Sequence, residues 1–218
     1  PKTNCAEAAR KMREMDAADV YILPEMFSTG FATVPEGIAE EWQNDTCPSH
    51  QWMLAMAREL DAAVVGSIAV CEQDGRYFNR MCFVRPDGET TLYDKHHLFT
   101  FGGEHLRYTA GQERVVAAFR GFRFLLQICY DLRFPVWARN RSGHDYDIIL
   151  VIANWPDIRI QYWDALIAAR ATENQCYIAA VNCVGDDGMD LHYNGHSIAY
   201  DTRLQPIVSF ADDEEGTK

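Results

Sequence analysis

Three side chains capable of covalent or proton-transfer chemistry each follow an apolar, strand-like run. Glu25 follows Val20-Tyr21-Ile22-Leu23-Pro24, Lys95 follows Thr91-Leu92-Tyr93-Asp94, and Cys129 follows Phe124-Leu125-Leu126-Gln127-Ile128. In open α/β sheets the ligand crevice forms at the carboxyl ends of strands, so the three are expected to meet there. Their spacings of 70 and 34 residues leave room for the intervening elements. A cysteine nucleophile needs a base and a group that holds an oxyanion, and a carboxylate with a lysine supplies both. Cys129 sits between a predicted strand and a predicted helix, on a tight turn where a helix dipole favours thiolate. Each residue also has an ordinary reading. A cysteine of this kind is most often a small hydrophobe and a lysine a solvated surface charge. The combination carries more weight than its parts.

The histidines invite a metal reading that their context does not support. His192 and His196 stand four apart, a zinc spacing on a helix, but Asn194-Gly195 between them predicts a turn. His96, His97 and His105 have no framing pattern of cysteines or acids, so no metal site is expected. His97 or His105 stays open as a base for Cys129 in a Cys-His pair. Trp137, Trp155 and Trp163 read first as core. Asn154-Trp155-Pro156 also directly follows a strand, which places Trp155 on the wall of the same crevice. Arg133, Arg159 and Arg170 read first as ion-pair partners. An anionic substrate near Cys129 would need one or two of them, and Arg133 and Arg159 are the candidates.

Around these residues the chain is ordinary and acidic. Its 218 residues fit one compact domain, and 32 acidic against 20 basic residues give a formal charge of −12. No basic face large enough to neutralise many phosphates is expected, which argues against nucleic acid as a partner. The hydrophobic share of 48% is that of a globular protein rather than a disordered one. No apolar run approaches a membrane span, and the first twenty residues are charged and helical in pattern, so neither a membrane partner nor a secretory signal is predicted. Seven cysteines at irregular spacing, with no Cys-x-x-Cys pair, point to free thiols in a reducing, cytoplasmic compartment.

The elements that must position the reactive residues follow from periodicity. Asn4 and Glu7 suggest a capping box, and Cys5, Ala8, Met12 and Met15 form a helical stripe. Residues 20–23 and 63–70 read as strands, and a helix from Ser49 carries Trp52, Met53, Met56 and Leu60 on one face. Asp74-Gly75 and Asp87-Gly88 predict hairpins. Residues 122–128 and 146–152 read as strands, 134–140 as a short helix, 162–175 as a long helix and 176–181 as a strand. Tyr193-Asn194-Gly195 predicts a turn before strands at 197–201 and 206–210, and the acidic residues 212–218 are expected to fray. The interleaving predicts an α/β protein with mixed sheets covered by helices.

These residues resemble the nitrilase superfamily, the carbon-nitrogen hydrolases with a Glu-Lys-Cys triad. The resemblance rests on Leu23-Pro24-Glu25-Met26-Phe27 with Gly30-Phe31, and on Tyr93-Asp94-Lys95-His96-His97-Leu98-Phe99. It continues through Glu104-His105, Tyr108, Gly111 and Ile128-Cys129-Tyr130-Asp131-Leu132-Arg133-Phe134-Pro135. Ala153-Asn154-Trp155-Pro156, the run from Ala169 to Gln175 and Gly195-His196-Ser197 complete it, in family order over nearly the whole chain. Within the superfamily the chain is most similar to bacterial omega-amidases, which hydrolyse the terminal amide of 2-oxoglutaramate and 2-oxosuccinamate.

The resemblance implies an αββα sandwich of two mixed sheets flanked by helices and a homodimer or higher homo-oligomer. It implies Cys129 as the nucleophile forming a thioester, Lys95 and the backbone N–H of Tyr130 as oxyanion donors, and Glu25 as base and acid. Glu104 matches a second glutamate that positions the triad or the substrate. No metal or organic cofactor is implied. The family's first strand has no counterpart before Pro1, nor its final strands and tail after Lys218, so residues 1–218 read as one carbon-nitrogen hydrolase domain lacking them. Three alternatives stay open: an amidase for deaminated glutathione or an N-carbamoyl compound, a catalytically silent binding module on the same fold, and the Cys-His hydrolase.

Overall fold

Apolar periodicity sets most of the elements. The computed structural model describes residues 1–43, 46–141, 145–188 and 190–218. They form two compact units, Pro1–Glu113 and Arg114–Gly216. The first runs α1 (Lys2–Glu14), β1 (Val20–Ile22), β2 (Glu40–Glu41), α2 (Pro48–Leu60), β3 (Ala63–Cys71), β4 (Tyr77–Val84) and β5 (Thr90–Asp94). β1 and β2 lie parallel to β3, while β3, β4 and β5 form an antiparallel meander. Its two turns are the expected Asp-Gly pairs, with Gly75 at φ 81° and Gly88 at φ 90°. Both helices bury one stripe against the sheet. Cys5, Ala9, Met12, Met53, Met56 and Ala57 pack with Val64, Ile68 and Val70, and each large apolar side chain so buried stabilises the unit by about 1.5–3 kcal/mol.

The capping box does not form. α1 begins at Lys2, so Asn4 lies inside its first turns and its side-chain amide donates to the Phe27 carbonyl at 3.1 Å. A tertiary hydrogen bond thus displaces the local one.

The second unit runs β6 (Val116–Phe119), β7 (Phe122–Ile128), α3 (Pro135–Ala138), β8 (Ile148–Ala153), α4 (Ile160–Asn174), β9 (Tyr177–Asn182), β10 (Val184–Asp186), β11 (His192–Asn194), β12 (Ile198–Tyr200) and β13 (Pro206–Ser209). Six of these strands form a mixed sheet in the order β13-β12-β9-β8-β7-β6, with β7, β8 and β9 parallel at its centre. Those central strands carry the nearly unbroken apolar runs that a parallel sheet demands. α4 covers them through Trp163, Ile167 and Ala171, which pack with Ile149, Val151, Ile178 and Ala180. Each unit is a mixed sheet with helices on it, which is the α/β class expected.

Three local expectations fail here. The helix predicted over 134–140 is only the four-residue α3, because Phe134 is extended before it and Arg139 leaves the helical region after it, at ψ 117°. Tyr193 and Asn194 are strand rather than turn: they pair antiparallel with β10, and the reversal falls on Gly195 and His196 at φ 81° and 59°. The acidic end does not fray throughout. Asp212 bridges Gly195 and accepts from Asn194 Nδ2 at 3.1 Å, and Asp213 N–H donates to the Asn194 carbonyl at 3.1 Å.

Gly111 holds the exit of β5 in place. A Cβ there would stand 2.1 Å from the Asp94 carbonyl oxygen, with no flexible atom able to yield. Its N–H donates to the Lys95 carbonyl at 3.0 Å and its carbonyl meets His96 Nδ1 at 2.6 Å. Gly111→Ala is expected to cost about 3 kcal/mol or more, read as a lower denaturant midpoint at unchanged slope. An unchanged midpoint would refute the close approach.

Candidate active site

The two carboxylates and the lysine of the first unit form one buried cluster. Glu25, at 1% exposure, and Lys95 and Glu104, both fully buried, project from three separate segments. Glu25 lies just beyond β1, whose line continues through Leu23 N–H to the Val65 carbonyl at 2.7 Å. The chain then turns at Met26, a non-glycine residue at φ 45°, whose N–H is caught by Ser67 Oγ at 2.9 Å. Lys95 is the first residue after β5 and its N–H donates to the Asn79 carbonyl at 3.0 Å. Lys95 Nζ donates to Glu25 Oε1 at 2.9 Å and to Glu104 Oε2 and Oε1 at 3.0 and 3.2 Å. Asn79, in the middle of β4, donates its amide to Glu25 Oε1 at 2.7 Å and to Glu104 Oε1 at 3.4 Å.

Charge accounting makes this cluster chemically poised. Two carboxylates share one ammonium away from water, where an uncompensated charge is costly. Burial pushes the Glu104 carboxyl above its ordinary range and the neighbouring Glu25 pushes it the same way, while Lys95 and the Phe99 N–H oppose the shift. A proton on Glu104 leaves one carboxylate against one ammonium, a neutral set. Perturbed, paired carboxylates of this kind mark acid–base sites. Phe31 closes the cluster from one side, its ring centre 5.4 Å from Lys95 Nζ.

In the second unit Cys129 caps β7. Its backbone is left-handed, at φ 48°, a conformation that costs a non-glycine residue about 1–3 kcal/mol and concentrates at functional sites. The turn is fixed from below by Ile128 N–H donating to Asp131 Oδ2 at 3.0 Å, with Asp131 fully buried. Cys129 Sγ lies 4.0 Å from the Asn154 carbonyl, at the end of the adjacent parallel strand β8. The third strand end supports the second: Asn182, last in β9, accepts from Trp155 N–H at 2.7 Å and donates to the Trp155 carbonyl at 2.9 Å and the Gly195 carbonyl at 2.8 Å. Three neighbouring parallel strands thus end in a cysteine, a loop and the amide that clamps that loop.

Residues 2–218 match the family model described as carbon-nitrogen hydrolase. The chain belongs to the carbon-nitrogen hydrolase family. It is 47% identical over 190 residues to the omega-amidase YafV of Yersinia enterocolitica, covering 87% of this chain and 72% of that one. It is 35% identical to the 2-oxoglutaramate amidase of Bacillus subtilis, covering 87% of this chain and 72% of that one. Among solved structures it superimposes on XC1258 of Xanthomonas campestris, a superfamily member with an arsenic adduct in its active site, with a TM-score of 0.90. That pair is 42% identical, over 99% of this chain and 82% of the other.

Within this hydrolase fold the sequence-predicted residues fall as follows. Glu25, Lys95 and Glu104 are in mutual contact. Cys129, Tyr130 and Arg133 share one 3-10 turn, in which Tyr130 packs edge-on against Phe134 with ring centres 5.4 Å apart. Trp155 is buried and donates its indole N–H to the Arg159 carbonyl at 2.8 Å. His96 and His97 pack edge to face and His105 is exposed. His192 and His196 are bracketed by carboxylates, His192 by Asp186 and Asp213, His196 by Asp164 and Asp212. Among the described residues no group of three or more His, Cys, Asp or Glu side chains is placed to hold a metal ion, and no helix is long and apolar enough to cross a membrane. Asn79, Ser67 and Asn182 escaped the sequence reading. The signal available for Asn79 and Ser67 was a small polar residue inside an otherwise apolar strand.

Proposed function

We propose that this hydrolase cleaves the terminal amide of a small 2-oxo dicarboxylic acid monoamide, such as 2-oxoglutaramate or 2-oxosuccinamate, to the acid and ammonia. The observation that carries this is the buried Glu25–Lys95–Glu104 cluster, in which one ammonium contacts both carboxylates. The similarity to an omega-amidase and a 2-oxoglutaramate amidase supports the substrate class.

The steps follow from the residue chemistry. Glu25 takes the Cys129 thiol proton as sulfur attacks the amide carbon. The carbonyl π pair moves to oxygen, and the oxyanion is held by Lys95 Nζ and the Tyr130 backbone N–H. Collapse breaks the C–N bond, Glu25 returns the proton to the leaving nitrogen, and ammonia departs from a thioester. Glu25 then deprotonates water, which attacks the thioester carbon and releases the acid and the thiol. Glu104 and Asn79 hold Glu25 and Lys95 in register. Tyr130, Arg133, Trp155 and Arg159 contact the rest of the substrate, and no metal or organic cofactor takes part. We place the enzyme in the cytoplasm, a compartment that keeps buried thiols such as those of Cys5, Cys47, Cys82 and Cys176 reduced. The family resemblance is what supports a homo-oligomer.

The test is ammonia release by the purified protein from 2-oxoglutaramate, 2-oxosuccinamate, deaminated glutathione and an N-carbamoyl amino acid. The highest kcat/KM is expected for the two 2-oxo monoamides, because specificity is a ratio of those constants. A higher value for deaminated glutathione or the carbamoyl compound would move the substrate elsewhere in the family.

A further inference from the structure

Two histidines outside the catalytic cluster each face a carboxylate with both ring nitrogens. His192, in β11, has Nδ1 2.8 Å from Asp186 Oδ1 and Nε2 2.8 Å from Asp213 Oδ1. His196, on the turn after β11, has Nδ1 3.1 Å from both oxygens of Asp164, and its Nε2 meets Asp212 Oδ1. A neutral imidazole has one N–H and one lone pair, so it can donate to only one of two such carboxylates. The other would face the lone pair. Only the imidazolium ion, with two donors, satisfies either arrangement. Four carboxylates around two imidazolium ions leave a net charge of −2, whereas around two neutral rings they leave −4.

The two rings join separate parts of the second unit. Asp186 belongs to β10, Asp164 to α4, and Asp212 and Asp213 to the segment that follows β13. The backbone of that segment runs along the same strand and turn, through the Gly195–Asp212 bridge and the Asp213 N–H on the Asn194 carbonyl at 3.1 Å. The turn in its place holds Asn182: the Gly195 carbonyl accepts from Asn182 Nδ2 at 2.8 Å, and Ser197 Oγ accepts from the Asn182 N–H at 3.0 Å. Asn182 in turn clamps Trp155, beside the Asn154 carbonyl that lies 4.0 Å from Cys129 Sγ.

We infer that His192 and His196 form a proton-operated latch, which as imidazolium ions fastens the Asp212–Asp213 segment and α4 to the Gly195 turn, and which on losing its protons frees the segment and loosens the Trp155 loop. Hydrogen bonds to Asp186 and Asp213 hold His192 above the ordinary histidine range. At His196 burial pulls the value down, and the bonds to Asp212 and Asp164 outweigh it. A folded value above the unfolded one contributes stability that is complete below about pH 6.5 and is lost as pH rises through the folded values. The latch is therefore closed in acid and open in alkali. The other charges around it are fixed over that span. The 3-10 turn Asp157–Arg159 packs on β11 with one charge of each sign, Glu214 pairs with Lys218 at 2.6 Å, and Asp187 accepts from the Tyr193 hydroxyl at 2.9 Å. Burial and Asp164 both keep the Tyr200 phenol, on β12, above its ordinary range. Carboxylates, phenols and cations of this kind keep one charge state between pH 6 and pH 8.5.

Hydrogen exchange read by mass spectrometry tests the latch on the whole chain, with labelling times scaled for the intrinsic pH dependence of exchange. In wild type the corrected exchange of peptides containing Asp213 and Trp155 is expected to quicken about fivefold from pH 6 to pH 8.5. The double variant His192→Gln, His196→Asn keeps polar side chains without the charge, and asparagine tolerates the left-handed backbone of residue 196, at φ 59°. It is expected to exchange at the faster rate already at pH 6, with no step between the two pH values. Equal corrected exchange in wild type at both pH values overturns the latch. A step that persists in the double variant overturns it as well, because another group would then be titrating. A step in the Asp213 peptide without one in the Trp155 peptide overturns the link to the loop.

Discussion

Lys95→Met is expected to lower stability by about 3–5 kcal/mol at neutral pH, the range seen when one partner of a buried ion pair is removed. In a protein of this size that corresponds to a fall of roughly 10 °C in melting temperature. Glu25 and Glu104 would face each other across the gap, both buried, with the Asn79 amide and the Phe99 N–H no substitute for the lost charge. The loss should depend on pH, and its sign follows from linkage. Burial already raises the Glu104 carboxyl and Lys95 opposes that shift, so without the ammonium it sits further above its unfolded range and the folded state binds more protons than the unfolded chain. The variant's deficit is then small at acid pH and grows as pH rises through the folded Glu104 value. Melting curves at pH 5 and pH 8 test this. An equal deficit at both would mean that Lys95 acts through packing alone. Lys95→Met combined with Glu104→Gln should recover part of the stability at pH 8 and none of the activity, because the proposed oxyanion donor is still missing.

That asymmetry between charge and packing also explains which parts of the site were legible from sequence. Glu25, Lys95 and Cys129 stand out because each follows a strand-like run with a side chain whose chemistry the strand does not need. The hairpins were legible for a related reason: Asp74-Gly75 and Asp87-Gly88 are dipeptides whose backbone freedom the turns require. Glu104 has no such signature. It lies in a short 3-10 turn between Gly103 and Arg107 and is buried only because Lys95 and Phe99 N–H reach it, so its role entered through family resemblance. Asn79 and Asn182 were invisible because what they do is tertiary. One bridges two carboxylates from segments 54 and 25 residues away, and the other clamps a loop 27 residues back. The failed capping box at Asn4 is the same lesson in reverse, a local motif overruled by a distant carbonyl.

Two backbone features tie these observations together. The chain leaves β1 through a left-handed residue at Met26, next to Glu25, and leaves β7 through a left-handed residue at Cys129 itself. Neither position is glycine, so each conformation must be over-determined by its surroundings. Ser67 does this for Met26 and Asp131 for the Cys129 turn. The fold therefore holds Glu25 and Cys129, the proposed base and nucleophile, by separate polar anchors, each buried. Such positioning is what converts ordinary side chains into catalytic ones, since misplacement of about 1 Å can cost 100-fold in rate.

Cys129→Ala and Cys129→Ser are each expected to lower kcat at least 10,000-fold while leaving the melting temperature within about 2 °C of wild type. The large effect follows from the loss of covalent catalysis: a serine hydroxyl is a far weaker nucleophile without a thiol's acidity. The small effect on stability follows from position, because Cys129 is only partly buried, at the edge of the second unit's core, and each substitution changes a single side-chain atom. Alkylation gives an independent measure on the wild-type protein. Burial pushes the thiols of Cys47 and Cys176 up to about 12, and it also raises those of Cys5 and Cys82. Thiolate is the reactive form, so these four should be nearly inert to iodoacetamide at pH 8. Cys71 and Cys183, part-buried like Cys129, are the fair comparison. Mass-mapped rates should show Cys129 reacting at least tenfold faster than either, with turnover lost in step with its modification. If Cys129 reacts no faster than those two, or if the alanine variant still releases ammonia, the nucleophile lies elsewhere.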